Sequence, residues 1–206
     1  SDAFSNYDAL AGFDEADLDG VMHSINDELE KLPQTHSALL DIFNTLGRSS
    51  DEEAYEVFLS DQETRDEFYS CLTAFAKALN TALGSAAFYE KVPETQIQKY
   101  KRDLKRFINL RTAVKRRYAE EIDFSDYEKR IEKVLNTHVG AYDIKQVIPP
   151  INVFNMETVN KSLDDFKTDR AKADFISNSM KRTIIERMGE NPALFQTLSE
   201  MLSEII

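Results

Sequence analysis

The spacing of its apolar residues limits the fold of this chain most, because they recur every three or four positions through most of the sequence. In the segment DQETRDEFYSCLTAFAKALNTALG, for example, Phe68, Leu72, Phe75 and Leu79 fall on one side of a helix. Alternation of apolar and polar residues, the pattern of a half-buried strand, is nearly absent. Six Gly and five Pro in 206 residues also favour long helices over a sheet with many tight turns. We therefore predict an all-α fold, an irregular multi-helix bundle.

The same pattern places the helices and their ends. The first two predicted helices run from about Asp14 to Lys31 and from about Gln34 to Gly47, with Pro33 as the interruption between them. A short helix capped by Ser50 or Asp51 follows, and further helices run from Asp61 to Gly84, from about Glu94 to Glu120 and from about Ser125 to Thr137. The last three helices begin at Asn155, at about Asp169 (ending at Met188) and at Pro192. We expect Gly47, Gly84 and Gly189 to end their helices in left-handed conformations, which glycine adopts without steric cost. Asn191 followed by Pro192 is an N-cap and first-turn pair.

Two adjacent prolines in VIPPINVFN predict an extended linker, because each removes a backbone donor and restricts the residue before it. We predict a helical domain over residues 1–146, and a linker plus a smaller C-terminal helical unit over residues 147–206. Such a short unit has a marginal core, so it either stands as a separate small unit or packs on the body through the apolar faces of its last two helices. These faces comprise Phe175, Ile176, Met180, Ile184, Ile185, Leu194, Phe195, Leu198, Met201, Leu202 and Ile205.

Composition indicates a soluble cytoplasmic protein. No run of 18 apolar residues exists that would span a membrane, and the N-terminal SDAFSNYDAL lacks the basic and apolar regions of a signal peptide. The single cysteine, Cys71, cannot form an intrachain disulfide, and we expect it to be a small core residue.

Motifs of catalysis are not found in the sequence. It has no GxxxxGK[ST] phosphate loop, no GxGxxG, and no HExxH or CxxC spacing. His23, His36 and His138 lie far apart, and we expect packed or surface histidines there rather than metal ligands. No catalytic residue, metal site or cofactor is predicted for this chain.

Positive charge is concentrated in one stretch of an otherwise acidic chain. The segment KYKRDLKRFINLRTAVKRRY, residues 99–118, holds nine Lys or Arg and one acidic residue, whereas the whole chain has a formal net charge of -12. The other 186 residues carry 16 basic and 36 acidic side chains, a net of -20. Almost no acidic residue lies three or four positions from these cations within the helix, so their charge is directed outward.

On a helical wheel this stretch has an apolar side and a basic side. The apolar side holds Ile97, Tyr100, Leu104, Phe107, Ile108, Val114 and Tyr118, and the basic side holds Lys99, Lys101, Arg102, Lys105, Arg106, Arg116 and Arg117. Arg111 points toward the middle of the apolar side, which predicts a buried ion pair with a carboxylate. The basic side is either a solvated surface balanced by acidic neighbours such as Glu120 and Glu128, or a footprint for phosphates or for an acidic protein surface.

Three extended segments resemble a known family. They are DEADLDGVMHSINDELEKLPQTHSALLDIF, DLKRFINLRTAVKRRYAEEIDFSDYEKRIEKVLNTHVGA and AKADFISNSMKRTIIERMGENPALFQTLSEMLSEII. Together they are similar to the C-terminal part of the motor (restriction, R) subunit of type I restriction-modification enzymes. The first two resemble the helical domain that follows the two helicase lobes of that subunit, and the third resembles its extreme C-terminal region.

The resemblance implies a non-catalytic role within a larger cytoplasmic enzyme of bacteria. In such subunits a nuclease domain and two ATP-driven translocase lobes precede this part, and their motifs are missing here. The resemblance therefore assigns DNA cleavage, ATP and Mg to the parent type I site-specific deoxyribonuclease, and none of them to this chain. It implies a domain that attaches the motor to the methyltransferase core, made of modification and specificity subunits, and that contacts the backbone of double-stranded DNA.

The candidate DNA-binding or partner-binding residues are Lys99, Lys101, Arg102, Lys105, Arg106, Lys115, Arg116 and Arg117. We expect contacts with phosphates, because base-edge readout would stall a motor that slides over any sequence. The alternative is a protein-docking module whose basic side binds an acidic surface of the methyltransferase core without touching DNA.

Overall fold

The computed structural model describes residues 30–47, 51–120 and 156–205. Its elements are α1 (residues 30–41), a 3₁₀ turn (Asn44–Leu46), α2 (Glu52–Phe58), α3 (Gln62–Leu83), α4 (Ala86–Lys91), α5 (Glu94–Arg117), α6 (Met156–Leu163), α7 (Asp169–Arg187) and α8 (Pro192–Ile205). The described residues form helices and no strand, which confirms the all-α fold class. Several predictions lie outside these residues: the helices over 14–29 and 125–137, the Pro149–Pro150 linker, Ser50, His23 and His138.

Pro33 lies inside α1 and does not separate two helices. The predicted interruption there, with a new helix from about Gln34, is wrong, because residues 30–41 are continuously helical. Proline removes a single backbone donor, and its fixed φ is compatible with a helix. Leu32 and Leu39, on either side of it, are both buried in the core, and their burial outweighs that loss.

The five helices α1 to α5 together form the main core. The long helix α3 lies against α5 and contributes Phe68, Leu72, Phe75 and Leu79, all of which are fully buried as predicted. The other members of this cluster are Leu32, Leu39, Phe43, Tyr55, Leu59, Ala76, Ala78, Ala82, Leu83, Phe88, Ile97, Tyr100, Leu104, Phe107, Ile108 and Val114. Cys71 is half-buried and packs against the cluster. Because α5 places one whole side in this core, its opposite side is held at a fixed orientation.

Polar side chains cap the helices at their N-termini. Asp51 accepts a hydrogen bond from the Glu53 amide, and Asp61 accepts one from the Thr64 amide, as the sequence predicted. Asn191 Oδ1 accepts from the Leu194 amide at 3.2 Å at the start of α8. Each side chain satisfies a backbone donor that has no acceptor within its helix.

Only one of the three predicted glycine ends has a positive φ. Gly47 follows the 3₁₀ turn with φ 61° and ψ -159°, so the sign of φ is as expected but the residue is outside the left-handed helical region. Gly84 ends α3 in the right-handed region, and Gly189 also lacks a positive φ, so both predictions are wrong. Hydrogen bonds of the i to i+3 type hold these two turns, from Gly84 to Thr81 and from Glu190 to Arg187, and they need no left-handed residue.

The C-terminal helices have a smaller core of their own. Ile184 of α7 packs with Phe195 and Leu202 of α8, and Met188 and Leu198 lie against them. Four of the predicted core residues are exposed, namely Met180, Ile185, Leu194 and Met201. Two packed helices bury only the side that each turns to the other, so the wide apolar stripes of α7 and α8 exceed what this contact covers.

None of the described helices combines the length and the apolarity that a membrane-spanning helix requires.

Candidate nucleic-acid interface

The basic stretch of α5 is divided into two parts that differ in their surroundings. In the first part, Arg102, Lys105 and Arg106 are exposed and Lys101 is half-buried. None of these four makes an ion pair with another described residue. At 100° per residue they occupy one side of the helix, opposite the core. We call these four residues the open basic surface.

Arg106 is fixed at the edge of a groove between α2 and α5. Its guanidinium lies 4.6 Å from the centre of the Tyr55 ring, a favourable cation–π distance. The groove has a volume of about 360 Å³, and Leu110 and Ala113 are among its apolar lining residues. Acidic and basic residues line it together: Glu52 and Glu56 from α2, and Arg102, Lys105 and Arg106 from α5.

Lys99 is partly neutralised at the other edge of the open basic surface. Its Nζ lies 3.0 Å from Oδ2 of Asp103, which also lies 2.7 Å from Nε2 of His36. His36 is buried against the Phe75 and Tyr100 rings, so it is a packed histidine, as expected. Burial would raise the pKa of Asp103, but the bonds from His36 and Lys99 outweigh it and hold that pKa below its usual value. Asp103 is therefore ionised, and Lys99 offers less free charge than its neighbours.

In the second part of the stretch, Arg117 is completely buried. Its Nη1 lies 3.1 Å from Glu56 and its Nη2 lies 3.4 Å from Glu53, both on α2. Its Nη2 and Nε lie 2.7 and 2.8 Å from Asp174 on α7. The prediction that Arg117 points outward to phosphate is thus wrong. The wheel directed it away from the main core correctly, but α2 and α7 cover that side of α5 at its end.

Two other residues of the second part are also covered. Lys115 is buried on the core side, and its Nζ lies 5.5 Å from the centre of the Tyr69 ring, so its predicted place at a binding surface is wrong. Arg116 is half-buried, with Nη1 3.5 Å from Oδ2 of Asp165. Arg111 is half-buried rather than buried, and its guanidinium lies 5.6 Å from the same Tyr69 ring.

A second arginine network closes the end of α5, and no local pattern in the sequence indicates it. Arg65 of α3 is buried, and its Nε donates to Glu120 at 2.6 Å while its guanidinium lies over the Tyr118 ring. The Tyr69 hydroxyl donates to the other oxygen of Glu120 at 2.8 Å. Burial and the charge of Glu120 raise the pKa of Tyr69, which keeps it a donor. Glu120 therefore neutralises Arg65 rather than the basic surface.

Polar contacts connect the C-terminal helices to the rest of the molecule. Besides Asp165 and Asp174, Thr168 Oγ1 donates to Glu53 at 2.7 Å, and Arg182 Nη1 donates to the Ala119 carbonyl at 3.1 Å. The buried apolar clusters of the two parts have no residue in common. Ala171 of α7 is also buried and lines a pocket together with Ala113 of α5, so the interface combines charged contacts with some apolar packing.

Three carboxylates around one guanidinium leave an excess of negative charge. Burial raises the pKa of Glu56, although the hydrogen bond and charge of Arg117 oppose that rise. Burial alone would lower the pKa of Arg117, because it disfavours the charged form. The hydrogen bonds to Asp174 and Glu56 outweigh this effect and raise the pKa of Arg117. Arg117 is therefore always charged and acts as a structural cation.

The described part of the chain offers electrostatic binding rather than an assembled set of metal ligands. Across residues 30–47, 51–120 and 156–205, no cluster of three or more His, Cys, Asp or Glu side chains is arranged to hold a metal ion. Exposed arginine and lysine side chains on a rigid helix attract phosphate or carboxylate groups. Comparison with models of known protein families, with curated proteins and with solved structures gave no match.

Proposed function

We propose that this chain is the non-catalytic helical assembly and DNA-contact domain of a type I restriction enzyme motor subunit. The observation that carries the proposal is the open basic surface, where Arg102, Lys105 and Arg106 are exposed and make no ion pair with another described residue. Translocation and cleavage with ATP and Mg would belong to other parts of the parent enzyme, in the bacterial cytoplasm. We propose no nuclease, helicase or ATPase activity for the chain itself.

Phosphate is the ligand we propose for this surface. From Lys101 to Arg106 the helix advances roughly 7.5 Å, about two of the roughly 3.4 Å axial steps that separate successive phosphates of one strand. Arginine binds phosphate through two parallel hydrogen bonds, and lysine binds it as a point charge. Both contacts ignore base identity, as a translocating motor requires.

The structure narrows the set of residues that we propose for DNA contact. Arg102, Lys105 and Arg106 are the strongest candidates, and Lys101 and Lys99 lie at the margin of the surface. Lys115 and Arg117 are withdrawn because they are buried. The acidic rest of the chain repels DNA, so this surface would determine where the duplex lies.

A protein-docking module is the second candidate, and the groove between α2 and α5 favours it. Its lining combines apolar Leu110 and Ala113 with the carboxylates of Glu52 and Glu56. An apolar floor and acidic residues suit side chains of a protein better than a phosphate backbone. In this alternative the methyltransferase core would supply an acidic surface to Arg102 and Lys105.

A salt titration of duplex binding tests the proposal. We expect Arg102→Gln and Lys105→Gln each to weaken binding of random-sequence duplexes and to make the slope of log affinity against log salt shallower by about 0.9. The matched controls are Arg170→Gln and Lys181→Gln, which remove the same charges from exposed positions of α7. Fluorescence anisotropy with duplexes of two unrelated sequences would measure affinity and slope.

Two results would decide against DNA contact. If the Arg102 and Lys105 variants matched their controls in affinity and slope, the open basic surface would not bind phosphates. If the same variants then weakened association with the methyltransferase core in a pull-down, the protein-docking alternative would replace the proposal.

A further inference from the structure

Arg116 lies in line with the open basic surface along α5. Positions 102, 105, 109 and 116 fall within about 60° of one another on the helical wheel. Arg116 is about 21 Å further along the helix axis than Arg102, which corresponds to about six phosphate steps of roughly 3.4 Å along one strand. A duplex that followed α5 would therefore contact Arg116 after the open basic surface, unless another group were already paired with Arg116.

A carboxylate from the C-terminal part of the chain forms an ion pair with the Arg116 guanidinium. Oδ2 of Asp165, in the turn between α6 and α7, lies 3.5 Å from Arg116 Nη1. The Arg116 side chain is only 17% exposed in this arrangement, whereas that of Asp165 is 39% exposed. A carboxylate presents the same kind of charged oxygen acceptors to arginine as a phosphate does.

Removal of this carboxylate would not strand a buried charge. The Arg116–Asp165 pair is long and partly exposed, so breaking it costs little. If the C-terminal helices moved away as a whole, Arg117 would lose Asp174 but keep Glu56 at 3.1 Å and Glu53 at 3.4 Å. The two apolar cores share no residue, so the movement would open neither of them, although it would expose Ala171, which is buried beside α5. Both the covered and the uncovered arrangement of Arg116 are thus chemically satisfied.

We infer that Asp165 competes with a DNA phosphate for Arg116, so that the C-terminal helices cover a second phosphate-binding position on α5. This inference rests on the proposed DNA contact and adds a regulation to it. The C-terminal helices reduce the affinity for DNA when they are docked, and a duplex bound along α5 displaces them.

Binding of a duplex by Asp165→Asn tests the competition. Asp164→Asn is the matched control, because Asp164 is the exposed neighbour with the same charge and has no ion pair with another described residue. We expect Asp165→Asn to bind about threefold more tightly than Asp164→Asn, the effect of a partly exposed ion pair that no longer has to be broken. The slope of log affinity against log salt should be steeper for Asp165→Asn by up to about 0.9. Its additional phosphate contact releases counterions, and no ion pair within the protein has to be broken first.

Two further measurements separate competition from a general change in charge. Arg116→Gln should abolish the difference between Asp165→Asn and Asp164→Asn, because the contested guanidinium is then absent. Hydrogen exchange of the unmodified chain, measured by mass spectrometry, should become faster in residues 164–175 when a duplex is added. Circular dichroism spectra would establish that each variant is folded.

These outcomes distinguish failure of the competition at Arg116 from failure of the proposed DNA contact. Equal affinities and slopes for Asp165→Asn and Asp164→Asn, or a difference that persists with Arg116→Gln, would overturn the competition and leave DNA contact by Arg102 and Lys105 intact. Absence of salt-dependent duplex binding by the unmodified chain would overturn both. Slower or unchanged exchange in residues 164–175 on duplex binding would also contradict displacement.

Discussion

At the scale of single residues, Arg117 shows how one buried cation can organise three helices. Its side chain is 0% exposed, while those of Glu53, Glu56 and Asp174 are 31%, 19% and 34% exposed. The guanidinium therefore depends on these carboxylates for hydrogen bonds that water cannot supply. The carboxylates retain partial hydration, which reduces their mutual repulsion.

We predict that Arg117→Gln lowers the free energy of unfolding by about 2–3 kcal/mol. Breaking a buried ion pair usually costs about 3–5 kcal/mol, and we expect a smaller loss here because water can partly solvate the carboxylates that remain. Arg116→Gln removes the same charge from the adjacent position, where the pair is long and more exposed, and should cost less than about 1 kcal/mol. Urea denaturation followed by circular dichroism measures both, and equal losses would show that Arg117 is not the structural cation.

A wheel drawn from the sequence separates the core side of α5 from the opposite side, but it cannot say what else covers that opposite side. It placed Tyr100, Leu104 and Phe107 in the core correctly. It placed Arg102 and Arg117 on the same outward side, yet only Arg102 is exposed. The covering groups come from α2 and α7, more than 50 residues away in sequence, and no local pattern encodes that contact.

At the scale of helices, the end of α5 uses an alanine where glycine is the usual residue. Ala119 has φ 51°, the one positive φ of a non-glycine residue in the described part of the chain. The Ala119 amide donates to the Arg116 carbonyl and the Glu120 amide donates to the Lys115 carbonyl, which are the two bonds of a Schellman motif. The left-handed conformation costs alanine roughly 1 kcal/mol relative to glycine.

We predict that Ala119→Gly raises the free energy of unfolding by about 0.5–1 kcal/mol. The substitution relieves the steric cost of the left-handed residue, which exceeds the extra entropy of glycine in the unfolded chain. Ala113→Gly is the matched control, because it makes the same change inside α5 and should lower stability by about 1 kcal/mol. Thermal or urea unfolding of both variants tests the opposite signs, and a loss of stability in Ala119→Gly would contradict the prediction.

Helix existence could be predicted from the sequence better than helix ends. The apolar period located α3, α5, α7 and α8, and their starts were predicted to within a residue or two, with polar caps indicating those of α3 and α8. The ends were less predictable, since Gly84 lies in the right-handed region and Gly189 lacks a positive φ, while Ala119 adopts the left-handed conformation. A helix end depends on where the following chain must go, and that direction is set by tertiary contacts.

At the scale of the whole molecule, the described residues form two apolar cores connected by polar contacts. The larger core spans α1 to α5, and the smaller one lies between α7 and α8. The sequence predicted a separate C-terminal unit or one packed through its apolar faces, and its boundary at residue 147 stays a prediction. The contacts to the body use Asp165, Thr168, Asp174 and Arg182, while Ile185 and Leu194 are exposed.

We predict that salt loosens the C-terminal helices selectively. Raising the NaCl concentration from 0.1 to 1 M shortens the Debye length from about 10 to about 3 Å, which weakens the partly exposed pairs of Arg116 and Lys167 with their carboxylates. The apolar contacts that hold α3 in the main core are not weakened by screening, so α3 serves as the internal control. Hydrogen exchange measured by mass spectrometry at both concentrations should therefore become faster in α7 and stay nearly constant in α3. Parallel acceleration in both helices would indicate general destabilisation, and unchanged exchange in α7 would show that its docking does not depend on charge.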